Sequence, residues 1–229
     1  MQQKTTLILP LIAAVLVPAA AAQAPREFGP GIGPRMKQNA EDLQQYSFKR
    51  RTEITIKGQS RGPRVDQVRY VDGRMETTPL ETPQRGAEPA HARGPLREMI
   101  VRKKAEEMKE DVEKLTSLLR RYASLGSESM RDVLEKATIS RTGPEPQADV
   151  QVVAKGVLEP SDSFTFLWSV ANRRPERIEV HTEMDGKPVE ASMEFASLPE
   201  GPFYAAHTTI SAPKKEIRVV MDTFDYMRQ

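Results

Sequence analysis

The second half of this sequence is a series of short segments in which apolar and polar residues alternate, and this pattern limits the fold more than any other feature. Alternation with a period of two is typical of strands that bury one face. It predicts strands over residues 150–158, 163–170, 177–184, 187–195, 204–211 and 216–223. Asp185 and Gly186 form a two-residue hairpin signal between two of these segments. Because the connections are short, we expect an antiparallel meander rather than a parallel sheet.

The same alternation occurs nearer the start of the chain. Residues 46–57 place Phe48, Arg50, Ile54 and Ile56 on one face and mostly charged residues on the other. A turn follows, which we place at residues 58–63. The pattern then predicts a strand over 65–71, a hairpin turn at Asp72 and Gly73, and a third strand over 74–78.

Three segments have the helical period instead. The spacing predicts a short helix over 36–45, a long helix over 96–123 and a shorter helix over 128–137. The long helix carries an apolar stripe at steps of three and four residues. The stripe consists of Val101, Ala105, Met108, Val112, Leu115, Leu119 and Tyr122. Two interpretations are open: the stripe packs across the protein's own sheet, or it pairs with a partner helix, as in a coiled-coil homodimer.

The first 24 residues have the order of a secretory signal peptide. Lys4 precedes an apolar run, and small residues follow it before an Ala-x-Ala exit. Cleavage is expected after Ala22, with Ala24 as the alternative. An uncleaved anchor is disfavoured because a membrane-spanning helix needs about 20 apolar residues, more than this run provides. We therefore expect an exported, periplasmic protein.

Composition divides the rest of the 229-residue chain into a linker and one domain. After the signal peptide at 1–22, residues 23–35 are rich in Pro and Gly and predict a flexible mature N-terminus. A single domain is expected over 36–229. It contains a Pro-rich loop at 79–95 and a helical insert at 96–137.

Charge and cysteine content exclude several functions. The formal net charge is only +2, and acidic residues interleave with the basic ones, so no nucleic-acid partner is expected. The sequence contains no cysteine, which excludes thiol catalysis and thiolate metal sites. It also leaves no cysteine to carry a lipid anchor after the leader. No cofactor is expected.

The sequence has no motif of a known catalytic site. Its histidines are His91, His181 and His207. His181 alternates with Glu179 and Glu183 on the polar face of a strand, a pattern that more often forms a solvated charge ladder than a metal site. We expect no catalytic residue, no metal ligand and no enzymatic activity.

Apolar and aromatic side chains are concentrated on three of the predicted strands. Alternation places them on one side of the sheet, as a candidate lining for an apolar ligand. These residues are Phe164, Phe166, Trp168, Val180, Met184, Met193 and Phe195. They form either a core that the helices fill or a hollow that takes a guest. Methionines suit guests of varied shape, because their side chains adapt.

Three stretches of the sequence together have a layout that is also found in a known group of proteins. They are residues 43–53 (Leu-Gln-Gln-Tyr-Ser-Phe-Lys-Arg-Arg-Thr-Glu), the hairpin over 177–195, and residues 198–203 (Leu-Pro-Glu-Gly-Pro-Phe) with two final strands after them. This layout resembles the LolA-like superfamily, the periplasmic carriers of lipoproteins and their lipid-binding relatives.

The resemblance implies an α+β fold. In that superfamily a curved antiparallel sheet, a half-barrel, encloses a lipid-sized cavity under helical lids. For this chain we expect one long and two short helices packed over the concave side. Arg50, on the inward face of the first strand, is the candidate polar gate.

Two functions are consistent with these features. The first is a periplasmic binding protein that holds an acyl chain of a lipid or lipoprotein, or another apolar ligand, in the hollow of the sheet. The second is a module that binds an envelope protein through the long helix and takes no small-molecule ligand. Its contact face would be Val101, Met108, Val112, Leu115, Leu119 and Tyr122.

Overall fold

A computed structural model of the chain describes residues 28–81, 95–123, 133, 137–144, 148–199 and 201–229. Within these residues the chain forms two α-helices, one 3₁₀-helix and ten strands of a single sheet. The predicted leader and most of the predicted Pro-rich loop lie outside the described residues.

All ten strands pair with antiparallel neighbours. The strands are β1 (Tyr46–Ile56), β2 (Gln59–Val71), β3 (Arg74–Glu81), β4 (Thr138–Thr142), β5 (Asp149–Lys155), β6 (Ser163–Ser169), β7 (Arg174–Met184), β8 (Lys187–Ser197), β9 (Phe203–Ala212) and β10 (Ile217–Arg228). Their order is β3-β2-β1-β10-β9-β8-β7-β6-β5-β4, so the sheet is open, with β3 and β4 at its edges. The predicted meander is confirmed, and an antiparallel sheet of this size, which is expected to twist strongly, fits a curved sheet.

Tight turns with positive φ set the register of the hairpins. Asp185 (φ 55°) and Gly186 (φ 67°) join β7 to β8, as the sequence predicts. The turn between β1 and β2 differs from the prediction of residues 58–63. It consists of Lys57 (φ 52°) and Gly58 (φ 72°), and Pro63 lies inside β2.

The first helix begins earlier than predicted. Helix α1 spans Phe28–Leu43, so residues 28–35, which we expected to be irregular, are helical, with Pro34 inside the helix. Ile32 is only 4% exposed and belongs to the core. Burial of an apolar side chain against the sheet compensates for the low helix propensity of Gly and Pro here.

The long helix is confirmed, but the count of three helices is not. Helix α2 spans Pro95–Ala123, close to the predicted 96–123. The third predicted helix, over 128–137, lies almost entirely outside the described residues. Of its two described residues, Val133 is helical and buried, and Ala137 is in a bend. Within the part of the chain that the structure describes there are two α-helices and the 3₁₀-helix Pro213–Lys215.

One strand, β4, has no counterpart in the sequence prediction. Four of its five side chains are exposed and only Ile139 is partly buried, so it shows little apolar alternation. It is an edge strand, held by backbone pairing with β5. At the other edge, β3 continues through Glu81 and includes the first residues of the predicted loop at 79–95.

The core lies between the two helices and one face of the sheet. A cross-strand row on this face runs through seven strands, from Ile54 to Ala154, by way of Val219, Ile210, Ala191, Val180 and Phe164. Ile32 of α1 and Leu115 of α2 belong to the same cluster. We call this side of the sheet the apolar face.

Candidate functional site

All seven predicted lining residues contact the core cluster on the apolar face. Phe164 (0% exposed) and Phe166 (1%) are fully buried, and Trp168, Val180, Met184 and Met193 are also buried. Phe195 is partly buried against the same cluster. Cross-strand pairs place these side chains together, for example Phe166 opposite Ile178 and Ile178 opposite Met193. Their side chains therefore form one continuous apolar wall in this conformation.

An aromatic row runs along this wall. The ring centroids of Phe164 and Phe166 are 6.5 Å apart, and those of Phe166 and Trp168 are 6.0 Å apart. Trp168 meets Phe203 edge to face at 6.5 Å, and Phe203 meets Phe195 at 6.3 Å. Phe203 belongs to the wall although the sequence did not single it out. Its signal was its position as the first apolar residue after the turn at 198–202.

A buried carboxylate attaches the end of α2 to the sheet. Asp162, 2% exposed, lies just before β6. It accepts hydrogen bonds from the Tyr122 hydroxyl of α2 and from the Thr182 hydroxyl of β7, at 2.6 Å for Thr182. The backbone N–H groups of Leu158 and Glu159 also donate to it, at 3.0 and 2.7 Å. This role was not predictable from the sequence, because Asp162 lies between two serines in a segment that has the composition of an ordinary polar turn.

These hydrogen bonds change the acidity of both partners. Burial alone would raise the pKa of Asp162, but the hydrogen bonds from Thr182, Tyr122 and the two backbone groups hold that pKa below its usual range. Burial raises the pKa of Tyr122, and its hydrogen bond to the Asp162 carboxylate raises it further. Asp162 is therefore a carboxylate, and Tyr122 a neutral donor, at neutral pH.

A second polar contact holds the middle of α2. The Lys215 Nζ lies 2.7 Å from Asp111 Oδ1 on α2 and 2.9 Å from Asp185 Oδ2 in the β7–β8 turn. The hydrogen bond to Asp111 raises the pKa of Lys215, with a further contribution from Asp185. The Lys215 side chain is only 11% exposed, so this ion pair is partly shielded from water.

A cleft of about 600 Å³ lies between α2 and the turns at that end of the sheet. Leu118 of α2 and Met184 of β7 border it, and both also contact the core. Its rim carries charges of both signs, from Glu110, Lys114, Arg121, Glu159, Glu183 and Asp185. We call this the α2 cleft. Its volume lies within the usual range of ligand pockets.

The structure describes only part of the contact face that the sequence predicts on the long helix, and that part is buried. Leu115 and Tyr122 are 1% and 2% exposed, and Met108 and Val112 pack against the core. The side chains of Val101 and Leu119 lie outside the described residues. The buried part of the stripe therefore packs on the protein's own sheet, the first of the two interpretations, and is not exposed to a partner in this conformation.

The candidate gate, Arg50, lies in a polar region beside the apolar wall. Its Nη2 is 3.4 Å from Asp66 Oδ2, and Arg64 Nε is 2.6 Å from Asp66 Oδ1. Asp66 is 2% exposed, so Arg50 and Arg64 compensate for its buried charge. The Arg50 Nε is buried and has no hydrogen-bond acceptor. A gating role for Arg50 remains a prediction.

The histidines lie on the polar side of the sheet or outside the described residues. His181 is exposed next to Glu179 and Glu183, and among the described residues no three His, Cys, Asp or Glu side chains are grouped to hold a metal ion. His207 has partners that the sequence did not indicate: its Nδ1 is 2.6 Å from Asp222 Oδ1, and its Nε2 is 3.2 Å from Thr209 Oγ1. His91 is not described.

None of the helices described by the structure is both long enough and apolar enough to cross a membrane.

The solved structures that are similar to this chain include the following three. A DUF1329 family protein from Desulfovibrio piger has a TM-score of 0.45 and 10% identity, over 89% of this chain and 92% of that one. A domain described as an outer membrane lipoprotein-sorting protein domain, from Vibrio parahaemolyticus, has a TM-score of 0.45 and 13% identity, over 86% and 91%. A LolA superfamily protein from Nitrosomonas europaea has a TM-score of 0.34 and 7% identity, over 85% and 94%.

No protein-family model matches the sequence, and no curated protein matches it. One of the three similar structures belongs to the superfamily that the layout of the sequence resembles. At these TM-scores the similarity carries no information about a ligand.

Proposed function

We propose that this chain is an exported binding protein that encloses an acyl chain, or an apolar group of similar shape, between its sheet and α2. The observation that carries this proposal is the position of Met184. Its side chain belongs to the apolar core and also borders the α2 cleft, together with Leu118. The cleft is therefore the place where an apolar chain would reach the apolar face from solvent.

The physical need for such a protein follows from the hydrophobic effect. At about 0.8 kcal/mol per methylene, a 14-carbon chain exposed to water costs roughly 10 kcal/mol. A wall of aromatic and methionine side chains offers an environment close to that of a lipid bilayer. Uptake and release would then be nearly balanced, so a small movement of α2 would decide between them.

We propose that α2 is the element that moves. The polar attachments of α2 differ in strength: Asp162 and Tyr122 are buried, whereas Asp111 and Asp185 are 26% and 56% exposed around Lys215. The Arg121–Glu159 ion pair, next to Tyr122, is about half exposed, at 52% and 48%. A partly exposed ion pair is worth less than a buried, fully bonded carboxylate. The helix would therefore pivot at Tyr122 and lift at Asp111, opening the α2 cleft.

Three further parts of the proposal concern export, catalysis and partners. Export is supported by the order of residues 1–24, with Lys4 before an apolar run. We propose binding rather than catalysis, because the buried polar groups at the end of α2, Tyr122, Asp162 and Thr182, are joined by hydrogen bonds through the Asp162 carboxylate and hold the structure together. The envelope-protein module receives less support, since Leu115 and Tyr122 are buried.

The decisive experiment adds a neutral amphiphile with a 14-carbon chain, monomyristoyl glycerol, to the purified protein. Native mass spectrometry should show one bound molecule, and the fluorescence of Trp168, the single tryptophan, should shift on binding. Leu118→Glu should lower the affinity at least tenfold, because it places a charge where the chain enters. Ser140→Glu places the same charge on an exposed residue of β4 that does not border the α2 cleft, and it should leave the affinity unchanged.

A second variant separates loss of binding from loss of folding. Leu118→Phe fills the α2 cleft without adding charge, so it should weaken binding while the protein unfolds at the same temperature as the parent. The proposal would be rejected if the parent protein bound no monomyristoyl glycerol, or if both Leu118 variants, still folded, bound it with undiminished affinity.

A further inference from the structure

A second cavity, of about 440 Å³, has a different chemical character from the α2 cleft. Its walls come from α1, the β6–β7 turn, the connection between β8 and β9, and the last residues of β10. None of the seven residues predicted to hold an apolar ligand lines it. Guanidinium groups from three separate elements line it instead: Arg35 on α1, Arg174 on β7 and Arg228 on β10. We call it the arginine cavity.

The charge of the arginine cavity is not balanced by its own walls. Among its described lining residues, Asp42 is the one carboxylate against the three arginines. Arg174 is 3.1 Å from Glu176 and is partly neutralised. The other two arginines bond to uncharged acceptors: Arg35 Nε to the Arg173 carbonyl at 2.7 Å, and Arg228 Nη2 to Gln45 Oε1 at 2.8 Å. Neither forms an ion pair with any carboxylate that the structure describes.

Hydrogen bonds between the walls fix the shape of the arginine cavity. The Asn39 side chain donates to the Phe203 carbonyl and accepts from the Phe203 N–H, both at 2.8 Å, which joins α1 to the start of β9. The bond from Arg35 joins α1 to the β6–β7 turn. The backbone N–H of Gln229, next to Arg228, donates to the Gln45 carbonyl at 2.7 Å. The arginines are thus held in place before any ligand binds, which lowers the entropy cost of binding.

We propose that the arginine cavity binds an oxyanion, a phosphate or carboxylate group, through Arg35, Arg174 and Arg228. A guanidinium donates two parallel hydrogen bonds to such oxygens and keeps its charge at every physiological pH. The cavity is larger than a phosphate ion needs, so the anion is one end of a small molecule. Either a free metabolite or the head group of an anionic lipid carries this chemistry.

Phe203 connects this cavity to the apolar face. It lines the arginine cavity and meets the ring of Trp168 edge to face at 6.5 Å. Binding of an anion should therefore alter the fluorescence of Trp168. This site does not depend on the proposed acyl-chain function, since inorganic phosphate, one of its probes, has no acyl chain, and the probe for the α2 cleft has no charge.

The test titrates the protein with inorganic phosphate and with dihexanoyl phosphatidic acid, following heat and Trp168 fluorescence. Both phosphates should bind, and the double variant Arg35→Gln/Arg228→Gln should bind each at least tenfold more weakly. Arg177→Gln is the matched control, because Arg177 of β7 lies outside the cavity and pairs with Glu179 on the same strand and Glu194 on β8, so its loss should change nothing. Dihexanoyl phosphatidylcholine, which has no net charge, should bind more weakly than the phosphatidic acid.

A variant that is expected to tighten binding distinguishes a loss of the binding site from a loss of folding. Asp42→Asn removes the carboxylate from the wall and should tighten phosphate binding several-fold. Tenfold tighter binding of phosphatidic acid than of phosphate would assign a lipid head group, and equal affinities would assign a free anion. The proposal is overturned if neither phosphate binds at millimolar concentration, if the folded double variant binds as tightly as the parent, or if Asp42→Asn weakens binding.

Discussion

At the scale of single residues, a carboxylate that loses its water on folding needs hydrogen bonds in return, and Asp162 receives four of them. Two come from side chains on different elements and two from the backbone of its own turn. A buried charge with fewer donors would cost several kcal/mol. Asp162 thus stabilises the β5–β6 turn and attaches α2 through the same group.

The first prediction removes this carboxylate. Asp162→Ala leaves the Tyr122 and Thr182 hydroxyls and two backbone N–H groups without this acceptor, so the free energy of unfolding should fall by about 3 kcal/mol or more. Asp162→Asn retains one acceptor oxygen and should cost less. Urea denaturation measures both. The control is Asp222→Ala, which removes a half-exposed contact with His207 and should cost no more than about 1 kcal/mol.

The second prediction concerns acid. The pKa of Asp162 is lowered in the folded chain, so the unfolded chain takes up the proton first as the pH falls. Its contribution is therefore complete above the unfolded pKa of about 4 and is lost as the pH falls through the lower, folded pKa. The difference in unfolding free energy between the parent and Asp162→Ala should be constant from pH 7 to about pH 5 and shrink below about pH 4. A constant difference down to pH 2 would contradict this assignment.

At the scale of elements, the central part of α2 packs in the hydrophobic core. Leu115 is buried against the sheet, whereas Ser117, two residues further along the same helix, is exposed. Leu115→Glu should therefore reduce the free energy of unfolding by more than about 4 kcal/mol or prevent folding, because a charge enters the core. Ser117→Glu should change it by no more than about 0.5 kcal/mol. Urea denaturation and sedimentation measure the outcome: an intact fold with a smaller assembly mass would indicate a partner helix instead.

The strands were predictable from the sequence because their signals are local. Alternation within β7 and β8 shows which side chains are buried, and Asp185 with Gly186 shows where the chain reverses. Elements that are stabilised mainly by contacts with other parts of the chain were not predicted. Strand β4 is held by backbone pairing with β5, and the start of α1 is held by burial of Ile32. In both cases tertiary contacts, which a local pattern does not contain, determine the structure.

The candidate sites, too, were predictable only where their sequence signal is local. The apolar wall was predictable, since each of its residues lies on the buried face of a strand whose period was visible. The attachments of α2 were not, because Tyr122 and Asp162 are 40 residues apart and Asp111 and Lys215 are 104 apart. The arginine cavity is similar: Arg35, Arg174 and Arg228 come together only after α1 has packed at the end of the sheet.

At the scale of the whole molecule, one apolar face spans seven strands and is covered by helices attached at a few polar points. Moving α2 away from this face would expose apolar area and cost free energy, which an entering acyl chain would restore. Breaking the contact between Asp111 and Lys215 should be one step of this opening, because the contact holds the middle of α2 to the β7–β8 turn. If so, the rate of uptake, more than the affinity, should depend on this contact.

The last prediction fixes this contact covalently. The sequence has no cysteine, so Asp111→Cys with Lys215→Cys gives a unique pair that a short bifunctional maleimide can bridge. Before bridging, the double variant lacks the ion pair and should take up monomyristoyl glycerol faster than the parent. After bridging, α2 cannot lift, and uptake should slow at least tenfold, as stopped-flow fluorescence of Trp168 would measure. Each single variant, treated with the same reagent, should retain fast uptake. Equal rates before and after bridging would mean that the ligand enters without movement of α2 at Asp111.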